Sequence, residues 1–357
     1  MLSSTSFLAL ALALPAIIRA AEYGLVKEYA GKNFFDEWDF YGHYDNLTNG
    51  AANFLTASDA SKQQLAFVNA AGNAIMKVDN KTDNLQFNQA RNSVRIATKD
   101  YFTVGSVWIA DMLHVPYGCS VWPAFWSQGP GWPNGGEIDT FEAVNLVANS
   151  QVAAHTQPGC TVVNATQTST LVNTTDCSYQ VNSNSGCSTG VPDPRSFGAA
   201  FAAAGGGVFV TEFATTGISV WFFSRSDVPS SLQNNSSSID TAAFGVPVVN
   251  IPSTGCEIER FFQAQNLIFD ITLCGDFAGN PTTFYQTCSG FCVNDYVLGP
   301  PSTYDNAYFE VQSVRVFGTS AAVDIQAPFS GASHSRGSTV VLSLAGLTAI
   351  LVLFIAL

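Results

Sequence analysis

The chain has 357 residues and a formal net charge of −13, and charged residues make up only 11% of it while aromatic residues make up 12%. With 27 acidic and 14 basic residues it offers no cationic surface that could displace counterions from a polyphosphate, which argues against nucleic acid as a partner. The low charge, with 29 glycines and 15 prolines, is typical of an extracellular all-β domain.

The N-terminal segment predicts export. Residues 7–18 form a short apolar run, followed by Arg19, Ala20 and Ala21 and then by the polar Glu22. This pattern is typical of a secretory signal peptide, and we assign it to residues 1–20 with cleavage after Ala20 or Ala21. Glycosylation sequons agree with this route, and their acceptors are Asn46, Asn80, Asn164, Asn173 and Asn235.

The region from residue 21 to residue 318 is interpreted as a single domain, because it shows no linker, repeat or break in composition. Strand-like segments rich in β-branched and aromatic residues recur along it, at 93–98, 107–113, 208–213, 218–223, 267–273 and 308–317. Thr215, Thr216 and Gly217 separate two of these segments and predict a hairpin. This pattern predicts two packed antiparallel sheets.

The most informative segment is residues 137–142, where Glu137, Asp139 and Glu142 place three carboxylates within six residues. Side chains alternate along a strand, so Glu137 and Asp139 share one face and strict alternation puts Glu142 on the other. One extra residue at Thr140-Phe141 would restore the parity. We therefore predict a β-bulge there that brings all three carboxylates into one cleft.

Such a crowd of acids is costly, since like charges repel, and cleavage of glycosidic bonds is a chemistry that requires it. A retaining glycosidase uses a carboxylate nucleophile and a second, protonated carboxyl group roughly 5 Å away. A solvated strand edge would need no neighbouring aromatic residues, and a calcium site would use loop Asp and Asn residues with carbonyl ligands. We therefore predict no metal site here.

Three tryptophans, Trp122, Trp126 and Trp132, precede the acids. Their flat apolar faces suit the CH-rich faces of sugar rings, so we expect them to line the groove, although an ordinary core position is an equal alternative for each one taken singly.

Eight cysteines lie within the predicted mature chain, at positions 119, 160, 177, 187, 256, 274, 288 and 292. They contain no CxxC pair, which argues against zinc and favours disulfides, although eight cysteines allow about a hundred connectivities. Residues 157–192 are rich in Ser, Thr, Asn and Gly and hold three of the cysteines, so they predict a long stapled surface loop.

The C-terminal segment predicts a lipid anchor. Residues 319–338 are a Ser- and Ala-containing stalk with the small residues 330–333, and residues 339–357 are almost wholly apolar. This order is typical of a glycosylphosphatidylinositol signal, whose tail is removed. We expect the mature protein at the cell surface, held to the outer leaflet of the plasma membrane or to the cell wall; a plain membrane-spanning tail anchor is the alternative.

The sequence resembles glycoside hydrolase family 16, in particular its fungal laminarinase-like endo-1,3(4)-β-glucanases. Residues 137–142 (EIDTFE) fit the family's E-x-D-x-x-E signature, and the preceding WPAFW and WPNGGE segments fit its flank. Further similar segments, at 93–96, 155–156, 221–225, 274–279 and 307–311, extend the resemblance over most of the mature chain. The chain departs from the family's common Cys-Gly-Asp-Trp pattern at Phe277, so the resemblance implies a smaller sugar-stacking platform there.

The resemblance implies a β-jelly-roll sandwich with a substrate cleft across its concave sheet. It implies that Glu137 is the nucleophile and Glu142 the general acid/base, with Asp139 assisting. It also suggests His155 as a residue that binds substrate or tunes Glu142.

Arg95 and Trp221 are further candidates for the groove on the same resemblance. The implied protein needs no cofactor, acts on β-glucan and is a monomer. Two alternatives remain open at this stage. A cell-wall transglycosylase shares the covalent intermediate, although fungal wall transglycosylases of this family usually carry the shorter E-x-D-x-E spacing. A lectin-like surface protein would bind glucan without cutting it.

Overall fold

The computed structural model describes residues 22–233 and 236–319. The predicted signal peptide, the sequon at Asn235, the stalk after residue 319 and the apolar tail lie outside the described residues.

The described residues form eighteen strands and five short α-helices. In chain order the strands are β1 (Glu22–Ala30), β2 (Trp38–Phe40), β3 (Ala52–Phe54), β4 (Ala66–Val68), β5 (Ala74–Lys77), β6 (Arg91–Ser93), β7 (Arg95–Thr98), β8 (Ser106–His114), β9 (Val121–Gln128), β10 (Glu137–Glu142), β11 (Gln151–His155), β12 (Cys187–Gly190), β13 (Gly207–Ala214), β14 (Gly217–Ser224), β15 (Ser238–Asp240), β16 (Val249–Pro252), β17 (Asn266–Leu273) and β18 (Tyr308–Thr319). The helices are α1 (Ala57–Lys62), α2 (Gly198–Ala203), α3 (Ile258–Phe261), α4 (Gly275–Ala278) and α5 (Pro281–Phe284).

Two large antiparallel sheets make up the jelly-roll sandwich, as predicted. The back sheet has nine strands, in the order β15-β1-β18-β8-β13-β14-β16 with β5 on β18 and β4 on β5. The front sheet has seven strands, in the order β12-β11-β10-β9-β17-β7-β2. Strands β3 and β6 form a small parallel pair.

The main core lies between the two large sheets and is rich in aromatic residues. Trp108 on the back sheet and Phe125, Phe141 and Phe269 on the front sheet are fully buried in it. The outer face of the back sheet is also covered, because Val107 and other residues there pack in a second apolar cluster with Val228, Leu232, Ile239 and Phe244. Strand β8 is therefore buried along nearly its whole length, on both faces of the sheet.

The predicted hairpin is confirmed, since β13 and β14 pair antiparallel with Ala214 opposite Gly217. The prediction that all cysteines form disulfides is also confirmed: the pairs are Cys119–Cys288, Cys160–Cys256, Cys177–Cys187 and Cys274–Cys292. Within residues 22–233 and 236–319, no helix combines the length and apolar character needed to cross a bilayer.

Candidate active site

Strand β10 contains the predicted bulge. Against β9, Asp139 lies opposite Trp126 but Phe141 lies opposite Phe125, so Thr140 is the extra residue. The register against β11 shifts over the same stretch, between Asp139 and Glu142.

The bulge turns two consecutive side chains towards the core. The Thr140 hydroxyl accepts a hydrogen bond from Trp108 Nε1 at 3.0 Å and shares another with Thr211 Oγ1 at 2.6 Å, both on the back sheet. The Phe141 ring packs against Phe209, also on the back sheet, with the ring centroids 5.2 Å apart. Since both residues point inward, the alternation resumes one position late and Glu142 returns to the outer face that carries Glu137 and Asp139.

Glu137 opens the strand at the rim of the site. Gly136 precedes it with a φ of +71°, and a Cβ there would lie 2.5 Å from the Phe261 carbonyl oxygen, so glycine is required at this turn. The Trp132 indole N–H donates a hydrogen bond to Glu137 Oε2. The Trp132 ring is otherwise 42% exposed, which leaves a broad aromatic surface beside the carboxylate.

Glu142 is held by two donors from neighbouring strands. Trp122 Nε1 on β9 donates to Oε1 at 2.8 Å, and Gln151 Nε2 on β11 donates to Oε2 at 2.7 Å. Burial raises the pKa of Glu142 and the charge of Glu137 adds to this, while the two hydrogen bonds and the charge of His155 oppose it. The net direction is upward, which favours the protonated form that a general acid needs.

Asp139 and His155 form an ion pair beside Glu137. His155 on β11 lies directly opposite Glu137, and its Nε2 is 3.4 Å from Asp139 Oδ2. Burial and then the charge of Glu137 raise the pKa of Asp139. Burial on its own lowers the pKa of His155, but Glu137 and Asp139 outweigh it and raise that pKa to about 10. His155 therefore carries a proton at neutral pH and offsets the negative charge, with its Nδ1 3.1 Å from Asn184 Oδ1.

Glu137, Asp139 and His155 are also the group of side chains in the described part of the chain that could together ligate a metal ion. One ligand atom each from Glu137, Asp139 and His155 lies within 4.8 Å of the others. A metal ligand must be a neutral imidazole, whereas the raised pKa keeps His155 protonated. A metal ion bound here would therefore have to displace that proton.

A row of side chains continues from Glu142 across the outer face of the front sheet. Successive strand pairings place Glu142 opposite Ala124, Ala124 opposite Asp270, and Asp270 opposite Arg95. The Tyr41 backbone N–H then donates to the Arg95 carbonyl at 3.0 Å, so Tyr41 follows Arg95 at the edge. We call this series of five residues the trough row.

Arg95 and Trp126, two of the predicted groove residues, both lie on this face. Arg95 forms an ion pair with Asp270 at 2.9 Å, and its guanidinium lies 4.9 Å from the Trp126 ring centroid. Trp126 Nε1 also donates to Asp270 at 3.3 Å. Burial raises the pKa of Asp270 to about 6 although Arg95 opposes this. Trp126 and Arg95 are themselves nearly buried, so they shape the floor more than they project from it.

Trp221 requires a correction, because the structure does not bring it to this site. It belongs to β14 of the back sheet, is 5% exposed, and packs in the outer cluster with Val210 and Phe244. Its indole N–H donates to the Gly245 carbonyl at 3.0 Å, which satisfies its polar atom within that cluster. Trp221 is therefore a core residue of the opposite layer.

Sequence reasoning missed Gln151, Asp270 and Tyr41. Gln151 has the same strand parity as His155, so alternation along β11 was a signal that could have identified it. Asp270 and Tyr41 come to the site only because β17 and the end of β2 lie beside β7, and the sequence does not show which strands become neighbours. Phe277 lies edge-on to Trp122 with ring centroids 5.5 Å apart and lines a small cavity beside Glu142.

Four of the predicted glycosylation acceptors are described. Asn46, Asn164 and Asn173 are exposed. Asn80 is half-buried, and its side-chain nitrogen donates to Asp305 Oδ1 at 2.7 Å, which makes it the least available of the four.

Comparisons with known proteins find relatives along most of the chain. Residues 38–317 match the family model described as "XgeA-like, catalytic GH16 domain". A probable glycosidase of Schizosaccharomyces pombe is 39% identical over 302 residues, which cover 84% of this chain and 70% of that protein. The endo-1,3(4)-beta-glucanase xgeA of Emericella nidulans is 30% identical, over 92% of this chain and 53% of that protein. The chain thus spans about half the length of that relative.

Solved structures show the same fold. Laminarinase 16A of Phanerochaete chrysosporium, described with two beta-glucans in its donor and acceptor sites, superposes with a TM-score of 0.79 at 33% identity. The match covers 83% of this chain and 100% of that one. An elongating family 16 beta-1,3-glucosyltransferase superposes with a TM-score of 0.75, also at 33% identity, over 83% of this chain and 99% of that one.

Proposed function

The chain belongs to glycoside hydrolase family 16, and we propose that it is a retaining endo-β-glucanase that hydrolyses β-1,3-glucan, mixed-linked β-1,3/1,4-glucan, or both. The observation that carries this proposal is the bulge in β10. It places Glu137 and Glu142 on one outer face, and burial raises the pKa of Glu142, which favours the protonated form that a general acid needs.

The two carboxyl groups divide the reaction between them. Glu137 attacks the anomeric carbon, and the bond from that carbon to the leaving oxygen breaks as Glu142 transfers its proton to that oxygen. The product is a covalent glycosyl ester on Glu137. Glu142, now ionised, removes a proton from water, whose oxygen displaces Glu137 from the anomeric carbon and restores both groups.

Asp139 and His155 are positioning residues in this scheme. The protonated imidazole compensates the charge of Glu137 before attack and lies beside Asp139, with Nε2 3.4 Å from Oδ2. The Trp132 indole N–H donates to Glu137, and the Trp122 indole N–H donates to Glu142. Each reacting carboxyl group therefore retains a defined orientation.

The test is a product analysis on laminarin, lichenan and barley β-glucan with the purified protein. New reducing ends of β configuration, absent with Glu137→Gln, are the expected result. If wild-type and Glu137→Gln proteins both leave the length of every polymer unchanged while binding it equally, the protein is a glucan-binding protein and the proposal is refuted.

A glucan transglycosylase is a second candidate, because a glucosyltransferase is among the structures that superpose well on this chain. The intermediate is the same in both reactions, and only the acceptor differs. Adding a labelled oligosaccharide to the laminarin reaction separates them: label in longer chains indicates transfer, and unextended label indicates hydrolysis.

We also propose that the protein is exported, glycosylated and lipid-anchored at the cell surface. The signal-like segment, the sequons and the C-terminal pattern support this. Four disulfides fit an oxidising compartment. Release of the protein from intact cells by a phosphatidylinositol-specific phospholipase is the expected result; retention on the cells would contradict the anchor.

A further inference from the structure

We infer that Tyr41, His43 and Tyr44 form a distal binding site for the glucan chain, four strand steps across the front sheet from the reacting carboxyl groups. This inference rests on the proposed function and extends it to substrate length. We call these three residues the edge platform.

The trough row leads directly from the acids to the edge platform. It crosses from β10 through β9, β17 and β7 to the residue that follows β2, which is four strand steps. Neighbouring strands lie about 4.8 Å apart, so Tyr41 is roughly 19 Å from Glu142 across the sheet. A linear polymer bound at the acids and lying across the strands therefore reaches the platform after several sugar rings.

The floor between the two ends is low and polar enough to accept a sugar chain. Ala124 contributes only a methyl group, and Asp270 and Arg95 neutralise each other's charge. The Arg95 guanidinium lies between two rings, 4.9 Å from the centroid of Trp126 and 5.5 Å from that of Tyr41. The aromatic surface thus continues from the catalytic strands to the edge.

The rings of the edge platform are exposed although they are large and partly apolar. Tyr44 is 58% exposed and Tyr41 is 37% exposed. The His43 and Tyr44 rings lie 4.3 Å apart, and the His43 and Tyr41 rings 6.1 Å apart. Contiguous exposed aromatic surface next to a cleft marks a binding site, and apolar ring faces with polar edges suit sugars.

The platform is also held in place before any ligand binds. The buried Asp45 follows Tyr44 directly and accepts hydrogen bonds from the backbone N–H groups of Leu47 and Thr48, each at 3.1 Å. Its other oxygen accepts from the Thr272 hydroxyl on β17, which ties the loop to the front sheet. A fixed loop avoids the entropy cost of ordering aromatic side chains on binding.

The experiment compares Tyr44→Ala with Tyr285→Ala, because both tyrosines are 58% exposed and Tyr285 packs on Phe284 instead. Both proteins are trimmed with an endoglycosidase first, since Asn46 is a sequon whose side-chain oxygen accepts a hydrogen bond from the Tyr41 hydroxyl at 2.7 Å. Values of kcat/KM are measured on a length series of β-1,3-gluco-oligosaccharides and on laminarin. The same series is titrated against each variant combined with Glu137→Gln to give Kd.

Tyr44→Ala is expected to weaken Kd and kcat/KM by roughly two- to tenfold on long chains and to leave the shortest cleaved chain unchanged. Tyr285→Ala is expected to match wild type throughout. Equal losses on short and long chains, or no loss on either, overturn the inference. If the wild-type protein cleaves none of these glucans, the proposed function fails. The Kd series then tests the edge platform as a binding site on its own: binding that Tyr44→Ala weakens more on long chains supports the inference, and any other result overturns it.

Discussion

Replacing Gln151 by Met should move the pH profile of catalysis. Gln151 donates one of two hydrogen bonds that stabilise the ionised form of Glu142, and methionine has a similar shape without the donor. A hydrogen bond to a charged group contributes about 1.5–3 kcal/mol, and one pKa unit corresponds to about 1.4 kcal/mol. We take the lower end, because Glu142 is only half-buried by exposure and water can replace part of the interaction.

The expected result is a rise of about one unit in the pKa that governs the alkaline limb of kcat/KM. The sign follows from the role of Glu142, since a general acid must be protonated and a higher pKa extends the protonated range to higher pH. Gln157→Met is the matched control, because Gln157 donates to the Asn134 amide oxygen and not to a carboxylate. An alkaline limb that stays in place or moves to lower pH in Gln151→Met would refute the reasoning.

Three further predictions follow from other contacts. The folded-state pKa of His155 is raised to about 10, so the contribution of the protonated imidazole to stability is full below about pH 6.5 and is lost as the pH rises through 10. His155→Gln should therefore flatten the dependence of Tm on pH between these limits. An unchanged slope would contradict the ion pair. Thr140→Val leaves the buried Trp108 N–H without its acceptor and should lower the free energy of unfolding in urea by about 1–3 kcal/mol. A loss below about 0.5 kcal/mol, the size typical of a surface substitution, would show that the bulge does not depend on this contact. Replacing Cys177 and Cys187 together by Ser opens a closed loop with a sequence separation of 10 and should cost about 2–3 kcal/mol by the same assay; no loss would indicate that the loop is held by other contacts.

Much of the active strand could be predicted because its information is local. The parity conflict among Glu137, Asp139 and Glu142 required one extra residue, and the structure has it at Thr140. Hairpin and strand segments were likewise readable from alternation and turn residues. The catalytic roles of these acids stay predictions until the variants are measured.

What could not be predicted depends on which strands become neighbours. Trp221 has the same local pattern as a groove tryptophan, but it lies in the back sheet, and alternation alone cannot say to which layer a strand belongs. Asp270 and Tyr41 reach the trough row only through pairings between distant segments. The disulfide partners share this property, since Cys119 and Cys288 are separated by 169 residues.

The position of β17 within the front sheet has a consequence for biosynthesis. This strand is the last of its sheet along the chain, yet it lies in the interior between β7 and β9. While the chain is being synthesised, β7 and β9 therefore lack the strand that joins them until residue 273 has left the ribosome. The front sheet cannot be completed before then. Strand β18 enters the back sheet between β1 and β8 in the same late manner. Such non-local closure makes folding slow, so the nascent chain has a long interval in which chaperones and disulfide-forming enzymes can act on it.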